Sequence, residues 1–194
     1  MVSVNAHTKY YWDRFDKKVG KFNKPAQLPD YFAELIGDKK KVSVLEAASG
    51  LVNTIGESWP DTKINITCID KFAIDFMNFW REKKAHPLHQ IWHGDVEDLN
   101  FSSDSFDIVH CRNALDHTED PLKAIEELKR VSKEWVILLH APDQMKRFGG
   151  HHVWNVQMEG DKTVFYGKEY SFIAHGFTSH FDGELIISKF RHEV

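Results

Sequence analysis

Val42-Ser43-Val44-Leu45-Glu46-Ala47-Ala48-Ser49-Gly50 is the stretch that decides the fold. Residues 42–47 are a short, mostly apolar run, which predicts a strand. Ala48-Ser49-Gly50 follows as a turn of small residues, and a helix is expected over residues 51–59. Strand, small-residue turn and helix in that order open a βαβ unit. Small side chains at the turn let backbone approach a ligand closely, and the next helix aims its N-terminal N–H groups at it. The plainer use of the same residues is an ordinary strand-to-helix turn.

Outward from this stretch the pattern repeats. A second strand, residues 64–70, ends on Asp70, about 20 residues after the loop. An acid there can accept hydrogen bonds from both hydroxyls of a ribose. Its bland use is to cap the helix expected over 73–83. A short strand is read at 89–93. The turn Gly94-Asp95-Val96-Glu97-Asp98 comes next. Its carboxylates could receive an adenine amino group, or simply be solvated. Strand 106–110 leads into Cys111-Arg112-Asn113-Ala114-Leu115-Asp116-His117. Asp120 and Pro121 then start a patterned helix over 121–132. An apolar strand, 135–140, ends on His140. His93, His110 and His140 are all read at strand ends along one edge.

Short apolar strands alternating with helices predict an α/β fold with a mostly parallel sheet covered by helices on both faces. Its last strands are expected as an antiparallel hairpin, 177–181 and 184–190, turned at Asp182-Gly183. The chain reads as one domain: a helical extension over 1–40, a cofactor-binding core over 41–140, and an acceptor-side loop with the final hairpin over 141–194. The extension is expected to hold one amphipathic helix over 7–20 and a short one over 31–36. Residues 149–160, rich in His, Trp and Gly, read as a loop or hairpin, and 168–175 as a helix.

Composition narrows the function. The chain has 194 residues, 42% hydrophobic and 28% charged, with a net charge of -4. That balance argues against an electrostatic grip on nucleic acid. Cys68 and Cys111 form no CxxC, so neither a disulfide framework nor a zinc knuckle is expected. The first 20 residues have no apolar signal stretch and no run is long enough to span a bilayer, so a cytoplasmic protein without a membrane partner is expected. A homodimer through the N-terminal helices or the late hairpin stays open.

Taken in order, these residues resemble the class I S-adenosylmethionine-dependent methyltransferases, most closely the type 11 methyltransferase domains, from about residue 42 to residue 140. VLEAASG is similar to the family's first motif, with Glu46 at its acidic position, and CID to the second. GDVEDLNF is similar to the adenine-contacting segment. SFDIVHCRNALDHTEDP is similar to the segment after strand four, and HHVWNV to an aromatic segment near the acceptor pocket. The resemblance implies a Rossmann-like three-layer sandwich with a mostly parallel seven-stranded sheet, and S-adenosylmethionine as cofactor, held by Glu46, Ala48, Ser49, Gly50, Asp70, Lys71, Asp95, Val96, Arg112 and Asn113. It implies an acceptor side carrying His151, His152 and Trp154. Two positions depart from the family's three glycines in alternation: Ala48 stands at the first and Val52 at the third. Val52 is costly if its backbone must turn left-handed. A member that binds cofactor without catalysis is therefore the rival expectation.

A sulfonium methyl is already electrophilic, so the protein must chiefly align the acceptor and exclude water. A hydroxyl acceptor also has to lose a proton, for which His117, Asp116 and His110 are the candidate bases. The strand-four site lacks the Pro-Pro-aromatic sequence of amino-directed DNA methyltransferases, and no Pro-Cys occurs. The acceptor is expected to be a small molecule, a sugar or other hydroxylated metabolite. No HxH or HExxH occurs, and no metal site is expected.

Overall fold

The structure, a computed structural model, describes residues 6–142 and 152–192. It divides into two compact units, the first ending at Asp95 and the second beginning at Val96.

The first unit opens with helices α1 (Ala6–Asp13) and α2 (Phe15–Phe22). The expected single helix over 7–20 is thus two, broken at Arg14, whose φ of -112° and ψ of 9° leave the helical region. A 3₁₀ turn (Asp30–Phe32) and α3 (Ala33–Ile36) follow, as expected for 31–36. Strands β1 (Lys41–Ala47), β2 (Lys63–Asp70) and β3 (Ile91–His93) are parallel, with β2 in the middle and α4 (Ala73–Glu82) between β2 and β3.

The helix expected over 51–59 does not form. The sequence Val52-Asn53-Thr54-Ile55-Gly56 explains the failure: three β-branched residues crowd the preceding turn of a helix, and Gly56 sits at φ +84°. Side chains hold the segment instead. Asn53 Oδ1 accepts from Ile55 N at 3.0 Å, and Asn53 Nδ2 donates to Gly56 O at 2.9 Å. The backbone beyond it pairs with residues 26–28, through Glu57 N to Ala26 O (2.9 Å) and Leu28 N to Ser58 O (3.0 Å). Leu51 and Val52 are buried with Phe15, Phe76, Phe79 and Trp80, an aromatic layer that α1 and α2 complete with Tyr11, Trp12, Val19 and Phe22.

The second unit carries β4 (Phe106–Arg112), a 3₁₀ turn (Leu115–His117), α5 (Pro121–Val131) and β5 (Ser132–His140). Asp120 Oδ1 caps α5 by accepting from Lys123 N at 3.0 Å, and Ala124, Ile125, Leu128 and Val131 form its buried face. The segment 96–101 is tied to α5 by Arg130, which donates to Leu99 O (2.8 Å) and Phe101 O (2.7 Å), and by Glu127, which accepts from Leu99 N (2.9 Å). Strand β10 (Ile186–Arg191) is antiparallel to β5, and β9 (Thr178–Phe181) is antiparallel to β10. The expected final hairpin is therefore present.

The main sheet has seven strands: β3, β2 and β1 of the first unit, and β4, β5, β10 and β9 of the second. A separate antiparallel sheet of β6 (Asn155–Glu159), β7 (Lys162–Tyr166) and β8 (Ser171–Ile173) follows β5 in the chain. The sequence reading gave a loop or hairpin over 149–160, which takes in β6, and assigned no strand at β7. The helix expected over 168–175 is β8, whose Phe172 stacks on Phe165 of β7 at 5.0 Å. Among the described residues no helix is long and apolar enough to cross a membrane.

Candidate functional site

In the first unit, pairing of Ala47 with Ile69 sets the carboxyl ends of β1 and β2 side by side. Ala48 and Gly50 turn left-handed, at φ 54° and 71°, and Ser49 N donates to Ile69 O at 2.9 Å. Gly50 N donates to Asp70 Oδ2 (2.9 Å) and Phe72 N to Asp70 Oδ1 (2.8 Å). The acid thus ties the glycine loop to the start of α4. Burial pushes the Asp70 carboxyl up, the two backbone N–H groups and His93 pull it partly back, and it settles at about 6. Val52 is not among the left-handed residues, so the strain that its side chain would bring to such a backbone does not arise.

Glu46 is buried and accepts from both Thr54 N (3.1 Å) and Thr54 Oγ1 (2.9 Å), so it braces the loop. Lys71 and Asp95 form an ion pair at 2.7 Å. Tyr11 of α1 was not singled out from the sequence, where it is one of several neighbouring aromatics. A Cβ on Gly50 would stand 2.7 Å from its hydroxyl oxygen. Burial, then the Asp70 charge, push that phenol well above its ordinary value.

In the second unit, Val96 is buried and Asn113 locks the end of β4 to that of β5. Asn113 N donates to Leu139 O, and Asn113 Oδ1 accepts from Ala141 N, both at 2.8 Å. Arg112, the last residue of β4, is half-buried beside Leu139 in register. His110 is fully buried inside β4, and burial, helped by Arg112, lowers it to about 3. So low a pKa makes the imidazole a weak base, and its full burial inside the strand keeps it away from solvent-borne acceptors.

Asp116 and His117 come together with His152. Asp116 is 1% exposed. Its Oδ2 is hydrogen-bonded to His152 Nδ1 and lies 3.7 Å from His117 Nε2. The rings of His117 and His152 are 4.3 Å apart. Burial works to raise the Asp116 carboxyl, but the His152 hydrogen bond and the charges of His117, His140 and His152 outweigh it, and the net shift is downward. Asp116 is therefore ionised at neutral pH and accepts from His152 Nδ1.

Backbone bonds fix this geometry. Val153 N and Trp154 N both donate to Asp116 O, at 2.9 and 3.1 Å, and Trp154 Nε1 donates to Thr118 O at 3.2 Å. Trp154 does not offer a ring to an acceptor. It is 6% exposed, packed on Gly167 and against Tyr170 and Phe172, because its indole fastens the segment to the 3₁₀ turn. His151 lies outside the described residues. The pairing of Asp116 with His152 spans 36 positions, and no short-range spacing signals it.

The family model described as a methyltransferase domain matches residues 45–139. A Bacillus subtilis protein named as the uncharacterized methyltransferase YcgJ is 34% identical over 64 residues, which are 33% of this chain and 25% of that one. The chain thus spans a quarter of the length of this curated relative. A candidate S-adenosyl-L-methionine-dependent methyltransferase of Methanococcus maripaludis superposes with a TM-score of 0.61 at 13% identity, over 100% of this chain and 99% of that one. Magnesium protoporphyrin IX methyltransferase of Synechocystis, solved with bound S-adenosylhomocysteine, gives 0.51 at 14% identity, over 96% and 98%. At such identities these two likenesses establish the fold. Residues 45–139, just under half of the chain, thus match the methyltransferase-domain family, in agreement over that stretch with the resemblance to the class I S-adenosylmethionine-dependent methyltransferases.

Proposed function

We propose that the protein transfers the methyl group of S-adenosylmethionine to the hydroxyl of a small polar acceptor. The observation that carries this reading is Asp70, a buried acid at the end of β2 whose two oxygens each accept one backbone N–H. A carboxylate has about four acceptor positions, so both oxygens keep capacity for ribose hydroxyls, and the residue fits the cofactor its family uses. Glu46, Ala48, Ser49, Gly50, Lys71, Asp95, Val96, Arg112 and Asn113 complete the proposed set. When bound, the cofactor supplies a methyl group on a sulfonium centre. Asp116 orients His152 and stabilises its protonated form, His152 Nε2 receives the acceptor's hydroxyl proton, and His117 lies against the same carboxylate. Hydrogen-bonding groups rather than an aromatic face select the acceptor, since Trp154 is buried.

A second reading keeps the fold without methyl transfer, as a sensor or interaction module. Tyr11 favours it: the ring stands where a ligand would approach Gly50, so a nucleoside reaches the loop from that side only after Tyr11 withdraws. Calorimetric titration with S-adenosylmethionine and S-adenosylhomocysteine tests the cofactor site, and release of S-adenosylhomocysteine from S-adenosylmethionine with small hydroxylated acceptors separates methyl transfer from binding alone. Micromolar binding, weakened at least tenfold in Asp70→Asn, is expected for the enzyme. Binding of neither ligand by folded protein leaves the second reading standing.

A further inference from the structure

Three unpartnered atoms surround the Asp116 cluster. Among the described residues Asp116 Oδ1 has no hydrogen-bond partner, and neither nitrogen of His140 has one. His140 is 1% exposed, packed edge-on against Phe165, and near enough to Asp116 for the carboxylate to act on its titration. Buried polar atoms without partners are costly, and a bound ion is one of the few things that explain several at once.

The geometry supplies the rest. One ligand atom each of Asp116, His117 and His152 lies within 4.8 Å of the others. Ligands of a tetrahedral Zn²⁺, at about 2.0–2.1 Å from the ion, stand about 3.4 Å apart. The 3.7 Å between Asp116 Oδ2 and His117 Nε2 is within a few tenths of that separation. The backbone bonds that clamp residues 153 and 154 to Asp116 hold the neighbouring His152 in place without any ion.

We infer that Asp116, His117 and His152 form a binding site for a divalent first-row transition ion, with the unpartnered imidazole of His140 beside it. Two imidazoles and one carboxylate suit Zn²⁺ or Fe²⁺, and disfavour Mg²⁺ and Ca²⁺, which take oxygen ligands. Three protein ligands leave a coordination position open, the arrangement of a catalytic rather than a structural ion. With the ion bound, His152 serves as a ligand and not as the base, and the ion would lower the pKa of a hydroxyl bound in the open position, whose proton then leaves to solvent. That last role rests on the methyl-transfer reading, whereas binding of the ion does not. The sequence reading, which looked for HxH and HExxH, expected no metal because these ligands are contributed by segments far apart in the chain.

The test uses the full chain without an affinity tag, stripped with a chelator and dialysed against Zn²⁺, with Co²⁺ absorption as a report on coordination. One ion per chain is expected, with His117→Gln, His152→Ala and Asp116→Asn each lowering affinity tenfold or more. His180→Ala, an exposed histidine elsewhere in the unit, is expected to change nothing. His117→Gln is the deciding variant, since His117 is partly exposed and its loss is expected to leave the fold intact, which circular dichroism checks. No saturable uptake by folded wild-type protein overturns the site, as does uptake that His117→Gln leaves unchanged. Titration of the same samples with S-adenosylmethionine keeps the two proposals apart: cofactor binding without zinc uptake sinks only the metal site, and zinc uptake without cofactor binding sinks only methyl transfer.

Discussion

Asp70 and Asp116 are both buried carboxylates, yet they are pushed in opposite directions. Asp70 meets backbone N–H groups and a more distant histidine, so the cost of burial wins and its pKa rises to about 6. Asp116 meets three histidines, one of them hydrogen-bonded to it, so partners win over burial and its pKa falls. The difference has a consequence for the proposed cofactor site. An ionised Asp70 is the better acceptor for ribose hydroxyls, and protonation below about 6 removes that capacity. Affinity for S-adenosylhomocysteine is expected to fall about fourfold between pH 7.5 and pH 5.5, the ratio of ionised fractions for a group titrating near 6. Calorimetry at both pH values checks it. The expectation is wrong if affinity is flat in the wild type, or falls equally in Asp70→Asn, where nothing at this position titrates.

At the scale of elements, the segment after β1 shows what patterning reveals and what it hides. Every strand of the main sheet was legible, because apolar runs bounded by turn residues have few other uses in a chain of this size. Helix α5 was legible from its cap and period. The failures share a cause. Residues 51–59 and 168–175 have weak local preferences, and tertiary partners decided them: residues 26–28 for the first and the exposed face of β7 for the second. The residues of the proposed cofactor site stand out in the sequence because they follow strand ends, whereas the position of Tyr11 and the union of Asp116 with His152 depend on folding distant segments together. Gly56 is the point on which the irregular segment turns. Its φ is +84°, and a Cβ there would stand 2.6 Å from Gln27 O and 2.7 Å from Ala26 O, both backbone atoms that cannot swing away. Gly160, at φ +62°, has nothing within 4 Å of the same atom. Gly56→Ala is therefore expected to cost about 3 kcal/mol or more and Gly160→Ala about 1 kcal/mol. Urea denaturation of the two variants checks the order, and equal costs would show that the segment yields instead of clashing.

For the whole molecule, stability toward acid follows from two histidines. His110 and His140 are both fully buried on the central strands β4 and β5, and burial lowers them to about 3 and about 4. In the unfolded chain they titrate near 6.5. Above 6.5 both states hold neutral imidazoles and the difference costs nothing. As pH falls below 6.5 the unfolded chain takes up two protons that the folded chain refuses, so stability drains away until the folded groups titrate at about 4 and about 3. Asp70 opposes the trend, since its raised value makes the folded state the better proton acceptor between about 6 and its unfolded value. Two groups against one leave a net loss of about one proton's slope, roughly 1.4 kcal/mol per pH unit at its steepest. Urea melts at pH 7 and pH 5 are expected to show it, and His110→Gln is expected to flatten the slope. A metal ion on the Asp116 cluster adds to the effect, because protons compete with it for His117 and His152. The acid loss should therefore steepen when Zn²⁺ is present and return to the two-histidine slope when a chelator is added.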